Sequence, residues 1–513
     1  MKYGIITFLL IQAVFSKIEN SETDFLCINK EFSFVSNKDD YITCARFGKE
    51  EGWHILTLET SQSEKYDNKL KMLSAGFIEG YIYHEYIDYH YQNIFQTIFK
   101  KTPIKETTRI FVDGGLEFAR ESCKKDSIEF LGDKTDKAEK EYYETLCLVL
   151  EQFRGLYLGY KAAPSSNAKL SEEDFYLLTM QADLEDIIPA FEPERLKLGL
   201  FRKEKDCSGF IKLVGANLIV GHNTHNLYSL MNRIYKYYNF NITLSTGRKV
   251  NNFKFSSRPG DLNSKDDYYV LSNKMVVLET SLEVKNFEIY KNLEIKTLPK
   301  WIRVNLANRL CEDNISWIET FFKHNSGTHN NQWLITDYKA FNKFLKGESE
   351  IKGVVHLVEQ TPMLYKKYFE DLTEILVKQS YLASYNAPYF EEVAESLGIP
   401  KKEDYNHARR KTLFEEQSAG VTCIEAAKKV LRFHSKEDIC DTIAPRCDLV
   451  QGRPFGAVDA KITDSHMVEK LDSIIVYGPP FIDGVTQPFD FSVYEDYSHL
   501  GIPEKFKFDW IVA

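Results

Sequence analysis

Two short apolar runs separated by a glycine-containing turn begin at Cys207, and this stretch constrains the fold more than any other. The runs are 207–214 and 218–221, and Gly215-Ala216-Asn217 stands between them. Two runs of this length around such a turn predict a β-hairpin. Because the preceding segment, 192–206, is strongly polar, the first strand of the hairpin is expected to start at the cysteine itself.

The rest of the chain alternates between strand and helix patterns. Apolar residues recur at helical spacing over 226–238, which predicts an amphipathic helix there. Further strands are predicted over 268–271, 274–280 and 332–337. Further helices are predicted over 298–310, 317–322 and much of the charged stretch 102–171, with a loop at 162–167. Strand pairs that alternate with helices predict an α+β fold in which helices cover stacked sheets.

A cysteine at the start of a strand, directly after a polar linker, has a specific chemical use. If the bond between Asp206 and Cys207 is cut, Cys207 gains an α-amino group, whose reference pKa of about 7.7–8.0 lies close to the thiol value of about 8.5. That amine can take the thiol proton without a separate histidine, and the thiol can itself attack the Asp206 carbonyl to make the cut. The same position also suits a buried and inert cysteine.

His222 and His225 follow the second strand of the predicted hairpin. Because a hairpin returns its far end to its start, His222 could lie beside Cys207 as a proton shuttle or an orienting group. A hydrogen-bonded structural role stays open for both histidines. They could also be two metal ligands, although no tightly spaced cluster of Cys, His or Asp accompanies them.

A second group, His84, Glu85, Asp88 and His90, also suggests a metal site at first sight. Its spacing does not match the i, i+4 histidines of a zinc-protease helix, and the interleaved tyrosines favour an ordinary half-exposed element. We therefore expect neither a metal nor another cofactor.

The first sixteen residues have the form of a secretory signal peptide. Lys2 precedes an apolar run, and Val14 and Ser16 occupy the −3 and −1 positions of a cut after Ser16. The run is shorter than the roughly 20 apolar residues that span a bilayer, and no later stretch is long and apolar enough. We expect a secreted or lumenal protein without stable membrane insertion; an N-terminal strand is the alternative.

Nine cysteines fit an oxidising compartment. Eight of them could pair and leave one reactive thiol over: Cys27, Cys44, Cys123, Cys147, Cys311, Cys423, Cys440 and Cys447. Cys440 with Cys447 and Cys123 with Cys147 are plausible pairs. Acceptor triplets for N-glycosylation at Asn241 and Asn314 agree with a secretory route. The net charge of −10 is spread without a clustered basic face, so we expect no nucleic-acid partner.

The order of several longer blocks resembles the phospholipase B-like family. The hairpin block Cys207-Ser208-Gly209-Phe210-Ile211-Lys212 with Gly221-His222-Asn223-Thr224 carries the resemblance most directly. Other matching blocks cover 76–82, 255–260, 268–272, 278–280, 321–333, 383–390 and 456–463. The likeness therefore extends from about Gly76 to near the C-terminus.

This resemblance implies a four-layer αββα sandwich of the amino-terminal-nucleophile hydrolase class. With the signal peptide at 1–16 removed, it also implies an N-terminal fragment at 17–206 and a catalytic fragment at 207–513, with both fragments remaining associated after a cut before Cys207. The family is one of secreted or lysosomal glycoproteins, and its named activity is the deacylation of glycerophospholipids, so a phospholipid substrate is expected.

The resemblance also assigns site residues one at a time. Cys207 takes the nucleophile position and His222 the position of the family's active-site histidine. Thr280 matches a site threonine, although Ser281 follows it where the family commonly has a second threonine. Asn386 matches a site asparagine that could stabilise an oxyanion, and Arg410, rather than its neighbour Arg409, best matches a site arginine.

One departure from the family pattern concerns the substrate pocket. His225 stands where the family usually has tryptophan, which puts the lipid specificity in doubt more than the nucleophile. Two other functions therefore stay open. The same site could hydrolyse an N-acyl amide, because esters and amides form similar tetrahedral intermediates. Alternatively, the chain could be a weakly active or inactive glycosylated binding protein.

Overall fold

The computed structural model describes residues 24–35, 41–99, 101–125, 136–164, 169–197, 207–435, 439–482 and 486–513. The predicted signal peptide, Asp206, most of the polar linker and part of the loop at 162–167 lie outside these residues. Within them the chain has an α+β fold, as the sequence predicts, built on two large β-sheets.

The larger sheet has eleven strands in the order β13-β12-β11-β10-β9-β8-β7-β4-β3-β1-β2, and the smaller has six in the order β14-β5-β6-β15-β16-β17. The strands are β1 (Asp24–Ile28), β2 (Phe34–Val35), β3 (Thr43–Glu50), β4 (Trp53–Thr60), β5 (Ser208–Val214), β6 (Asn217–Leu227), β7 (Ile234–Asn239), β8 (Phe253–Ser257), β9 (Tyr268–Leu271), β10 (Met275–Ser281), β11 (Asn331–Asp337), β12 (Val355–Glu359), β13 (Tyr368–Asp371), β14 (Tyr381–Ser384), β15 (Phe455–Thr463), β16 (Ile474–Tyr477) and β17 (Ile511–Val512).

Fifteen helices lie in the described ranges, and those that pack in the first and third apolar clusters below cover the outer faces of the two sheets. They are α1 (Asn68–Ile82), α2 (His84–Thr97), α3 (Glu106–Lys125), α4 (Lys137–Ala162), α5 (Glu172–Thr179), α6 (Gln181–Phe191), α7 (Pro193–Lys197), α8 (Lys300–Leu310), α9 (Asn314–Phe322), α10 (Tyr338–Leu345), α11 (Thr373–Gln379), α12 (Glu391–Leu397), α13 (Arg409–Ser418), α14 (Ile424–Leu431) and α15 (Asp448–Gln451).

Three apolar clusters show how these layers stack. One buries the larger sheet against α1, α4 and α8 through residues such as Ile78, Leu156 and Val277. The second fills the space between the two sheets, where Ile211 meets Leu278 and their neighbours. The third buries the smaller sheet against α13 and α14. The layers therefore run helices, sheet, sheet, helices, because alternate residues of each strand face opposite sides.

The hairpin predicted at Cys207 is present as β5 and β6, which pair in antiparallel register from Ser208 opposite Asn223 to Val214 opposite Asn217. The strand pair predicted at 268–280 is β9 with β10, and the strand at 332–337 is β11. The helices predicted over 298–310 and 317–322 are α8 and α9, and the charged stretch upstream contains α3 and α4.

The predicted helix over 226–238 is wrong. β6 continues to Leu227, a 3-10 turn covers Tyr228–Leu230, and β7 begins at Ile234. The chain here passes between two apolar clusters, with Ile234 in one and Tyr235 in the other. A strand that is buried on both faces lacks the alternation of a half-exposed strand, so its apolar spacing can imitate a helix.

Three disulfides join Cys27 to Cys44, Cys123 to Cys147 and Cys440 to Cys447. The two pairs proposed from sequence are thus both formed. The expectation that eight cysteines pair is wrong, because Cys311 and Cys423 remain thiols together with Cys207. Cys311 is buried at the end of α8, where its sulfur contacts the Asn308 carbonyl, while Cys423 is exposed at the start of α14.

Candidate active site

Cys207 lies immediately before β5, at the edge of the space between the two sheets, and is 1% exposed. Gly209 of β5 pairs with His222 of β6, so these two residues lie on the same face of the hairpin. This face meets the larger sheet, because a β-carbon added at Gly209 would lie 2.6 Å from Leu278 Cδ1 of β10. The Cys207 backbone has a φ of 86°, in the left-handed region that residues with a β-carbon rarely adopt.

Arg410, on α13, reaches the cysteine from the outer layer. Its Nη1 donates to the Cys207 carbonyl oxygen over 2.8 Å and to Ser208 Oγ over 3.2 Å. Its Nη2 donates to Asn386 Oδ1 over 2.6 Å. Arg410 is buried, whereas its neighbour Arg409 is exposed. Arg410 thus contacts the backbone of the predicted nucleophile, and its role as the site arginine stays a prediction.

Asn386 and Thr280 meet beside this arginine. The Asn386 backbone N–H donates to Thr280 Oγ1 over 3.1 Å, and its φ of 64° also lies in the left-handed region, which asparagine tolerates well. Asn386 Nδ2 donates to the Ser281 carbonyl oxygen over 2.7 Å and lies 3.3 Å from Ser281 Oγ. The serine that departs from the family pattern therefore still places a hydroxyl next to the site asparagine.

His222 approaches the same region from β6. Its Nε2 lies 2.9 Å from the Glu279 carbonyl oxygen, and because a carbonyl only accepts, Nε2 must carry the ring hydrogen. Its Nδ1 has no hydrogen-bond partner among the described residues. Burial, and secondarily the Lys461 ammonium, hold the pKa of His222 well below 6.5. The ring is therefore neutral and better suited to orient groups than to store a proton.

His225 occupies the opposite face of β6. Its Nε2 lies 2.9 Å from Asn223 Oδ1 and 3.0 Å from the Ile443 carbonyl oxygen. Asn223 Nδ2 in turn donates to the Leu431 and Ile443 carbonyl oxygens, so this group belongs to the contact with the outer helices. The role of His225 in a substrate pocket stays a prediction. Because His222 and His225 point to opposite sides of one strand, they cannot bind one metal ion together.

The other sequence-derived metal hypothesis also finds no geometric support in the described part of the chain. No group of three or more His, Cys, Asp or Glu side chains there could hold a metal ion. In α2, His84 Nδ1 contacts the Tyr81 carbonyl oxygen and Asp88 Oδ1 accepts from the Tyr160 hydroxyl. These side chains therefore serve helix packing.

The two predicted glycosylation sites differ in exposure. Asn241 is half-buried, and its Nδ2 lies 3.4 Å from the Ser61 carbonyl oxygen. Asn314 is 2% exposed, and its Nδ2 donates to the Gly353 carbonyl oxygen over 2.9 Å. Glycosylation at either position stays a prediction, and at Asn314 it would require the amide to leave its buried contact.

Sequence reasoning did not single out Ser384 and Gln332, which extend the site behind Thr280. Thr280 Oγ1 lies 2.6 Å from Ser384 Oγ, which donates to Gln332 Oε1 over 2.7 Å. Both residues stand inside the sequence blocks that carry the family resemblance. Their place in these blocks was the only sequence signal that could have identified them. A serine or a glutamine does not by itself indicate a hydrogen-bond partner on another strand.

A model of the family described as Phospholipase B matches residues 46–513 of this chain. Among similar proteins, phospholipase B of Crotalus adamanteus is 29% identical over 492 residues, covering 90% of this chain and 85% of the relative. Phospholipase B-like 1 of Homo sapiens is 30% identical over 487 residues, covering 90% and 85%. Phospholipase B-like protein B of Dictyostelium discoideum is 32% identical over 495 residues, covering 90% and 83%.

Proposed function

The chain belongs to the phospholipase B family, and from that premise we propose that it deacylates glycerophospholipids with Cys207 as the nucleophile. The nucleophile would form by cleavage of the chain between Asp206 and Cys207. The observation that carries this proposal is the double contact of Arg410, whose guanidinium bridges the Cys207 carbonyl and the Asn386 side chain. Relatives named phospholipase B or phospholipase B-like support the lipid substrate.

Self-cleavage would begin at Cys207, whose backbone is in the left-handed region. The Cys207 thiol attacks the Asp206 carbonyl, a thioester forms, and the amide nitrogen leaves as the α-amino group of Cys207. Water then hydrolyses the thioester, which returns the thiol and leaves Asp206 with a carboxylate. A left-handed φ at a residue with a β-carbon costs roughly 1–2 kcal/mol, and cutting the preceding bond removes that constraint. Arg410 would hold the Cys207 carbonyl in place during this step.

The new α-amino group would then serve as the base for lipid hydrolysis. It takes the thiol proton, Sγ attacks the ester carbonyl, and the oxygen of that carbonyl becomes an oxyanion. Asn386 Nδ2, which contacts the Ser281 carbonyl in the structure, would exchange that contact for a hydrogen bond to the oxyanion. The α-ammonium gives its proton to the departing alcohol, and water hydrolyses the acyl thioester. The low pKa of His222 supports an orienting role rather than that of the base.

The two fragments would remain associated after the cut. β4, in the N-terminal fragment, pairs in parallel with β7, in the C-terminal fragment, over six register positions from His54 opposite Ile234 to Glu59 opposite Asn239. The larger sheet therefore contains strands from both fragments. Each of the three disulfides lies within one fragment, so the sheet and its buried core would hold the two parts together.

A secreted or lysosomal location is part of the same proposal. Three disulfides are typical of an oxidising compartment. No helix within the described ranges is long and apolar enough to cross a bilayer. The predicted signal peptide, with cleavage after Ser16, would direct the chain to the secretory route.

Cleavage of its own peptide bond gives a specific reason to keep amide hydrolysis as a second candidate function. A site that opens the amide at 206–207 already has the groups to attack an N-acyl amide. Turnover of a diacyl phosphatidylcholine and of an N-acyl ethanolamide by the processed protein would separate the two functions. Hydrolysis of the amide alone would exclude the lipid-ester proposal.

The mechanism is tested by replacing single cysteines. We expect Cys207→Ala to abolish both the cut and lipid hydrolysis, while Cys423→Ala, at an exposed thiol, leaves both unchanged. Sequencing the N-termini of the mature fragments should find Cys207 first in one of them. Cleavage and hydrolysis that persist in Cys207→Ala would contradict the mechanism. A processed wild-type protein that binds phospholipid without turning it over would indicate the binding-protein alternative.

A further inference from the structure

We propose that Gln332 and Glu359 are positioning residues that fix Asn386 and set the direction of the Thr280 hydroxyl. This inference rests on the proposed function, in which Asn386 contacts the reacting acyl group. The side chains of Gln332 and Glu359 bond to each other and to the segment that carries Asn386, so both would act through that segment.

A continuous chain of hydrogen bonds joins Asn386 to Glu359. The Asn386 N–H donates to Thr280 Oγ1 over 3.1 Å, and Thr280 Oγ1 lies 2.6 Å from Ser384 Oγ. Ser384 Oγ donates to Gln332 Oε1 over 2.7 Å, and Gln332 Nε2 donates to Glu359 Oε1 over 2.7 Å. These hydrogen bonds connect the smaller sheet with the larger one and include three strands of the latter, β10, β11 and β12.

The Glu359 carboxyl group at the end of this series of hydrogen bonds fixes which group donates and which accepts at each step. Gln332 Nε2 faces two acceptors, Glu359 and the Ala387 carbonyl, so the amide oxygen of Gln332 must face Ser384. The Ser384 hydroxyl then donates its hydrogen to Gln332, and Ser384 Oγ accepts a hydrogen bond from Thr280. Thr280 consequently offers its lone pair to the Asn386 N–H.

Glu359 also holds the segment that follows Asn386. Its Oε1 accepts from the Tyr389 N–H over 2.6 Å, and its Oε2 accepts from the Phe390 N–H over 3.3 Å. Gln332 contacts Ser384 before Asn386 and the Ala387 carbonyl after it, the latter over 2.9 Å. The chain is thus fixed on both sides of a residue whose backbone is in the left-handed region.

Burial makes these contacts hard to replace. Gln332, Glu359, Ser384 and Thr280 are each 0% exposed, so water does not compensate for a lost partner at this site. Gln332 and Glu359 face each other across β11 and β12, where a pair of apolar residues would satisfy the packing of the sheet. Among the described residues, the other side-chain hydrogen bonds of Gln332 and Glu359 go to the 384–390 segment, and this argues for a role in placing Asn386.

The test uses the processed protein, with both fragments present, carrying either Gln332→Leu or Ser384→Ala. We expect a crystal structure of Gln332→Leu to show Asn386 displaced, with its contact to Arg410 lost. With a phosphatidylcholine substrate, kcat should fall about tenfold or more while KM changes little. Adding either substitution to Asn386→Ala should cause no further loss, because both act through Asn386.

Gln360→Leu is the matched control. Gln360 is also a buried amide and follows Glu359 in the chain, but its Nε2 donates to the Thr328 and His329 carbonyls. Its effect should be additive with Asn386→Ala. If Gln332→Leu does not fold, Ser384→Ala, which removes one hydroxyl, takes its place. An unmoved Asn386 in the variant structure overturns the inference, as do losses that add to those of Asn386→Ala. Wild-type protein without lipid turnover refutes the proposed function instead, and the variant structure still decides the positioning role.

Discussion

Arg410 donates a hydrogen bond from Nη1 to the carbonyl oxygen of Cys207 over 2.8 Å, although the two residues are 203 positions apart in the chain. The same guanidinium donates from Nη2 to Asn386. One cation therefore aligns the backbone of the predicted nucleophile with the side chain of the predicted oxyanion donor. The planar, forked geometry of arginine makes this double contact possible.

Replacing this arginine by lysine should separate its geometry from its charge. We expect Arg410→Lys to lower kcat for phospholipid hydrolysis about tenfold to hundredfold, because one ammonium cannot span the Cys207 carbonyl and Asn386 Oδ1. Arg409→Lys is the matched control at the adjacent, exposed position and should leave kcat unchanged. Steady-state kinetics and the extent of chain cleavage on a denaturing gel measure both effects. Equal losses in the two variants would contradict the assignment.

His222 should not define the pH dependence of the reaction. Its pKa lies well below 6.5 because of burial, and secondarily because of Lys461, so the ring stays neutral across the neutral range. In His222→Gln the side-chain amide can still donate to the Glu279 carbonyl. We expect kcat/KM between about pH 5 and pH 9 to keep the shape of the wild-type profile, at a lower level. A wild-type limb near pH 6.5 that disappears in His222→Gln would show that the histidine titrates during turnover.

His225 should affect stability more than specificity. Its Nε2 contacts Asn223 and the Ile443 carbonyl on the outer face of the smaller sheet. We expect His225→Phe to lower the free energy of unfolding by about 0.5–1.5 kcal/mol, since Asn223 Oδ1 and the Ile443 carbonyl each lose one donor and keep another. The ratio of ester to amide turnover and the acyl-chain preference should stay as in the wild type. A changed chain preference at unchanged stability would instead place His225 in the substrate pocket.

Glu359 should make the protein more stable at acidic pH. Burial raises its pKa from 4.5 to about 7, so between these values the folded protein binds a proton that the unfolded chain does not. The penalty of an ionised buried carboxylate is absent below about pH 4.5, grows through this window and is complete above about pH 7. Relative to Glu359→Gln, the wild type should therefore gain on the order of 3 kcal/mol in the free energy of unfolding from pH 8 to pH 4.5.

This comparison is made by chemical denaturation with both proteins in a Cys207→Ala background, which keeps the chain uncut. The difference between the two unfolding free energies at each pH isolates the contribution of Glu359 from that of other titrating groups. Parallel pH dependences would show that the Glu359 carboxyl has an ordinary pKa in the folded protein.

Much of the architecture was predictable from local patterns. The Gly215-Ala216-Asn217 turn between two apolar runs specified the β5–β6 hairpin, because turn chemistry and strand length are properties of a few adjacent residues. The ordered sequence blocks indicated the family and, with it, the prediction that Cys207 is the nucleophile. The same local reasoning failed at 226–238, where Ile234 and Tyr235 are buried on opposite faces and no longer show the period of a half-exposed strand.

The sequence by itself therefore determined the hairpin, the α+β class and the residue types available for catalysis. Only the tertiary structure decided which of them meet. It brought Arg410 to the Cys207 backbone, placed His222 and His225 on opposite faces of β6, and joined Thr280 to Glu359 through Ser384 and Gln332. The reason is physical: a hydrogen bond between residues on different strands or layers depends on how strands pair and sheets stack, and no local periodicity encodes that alignment.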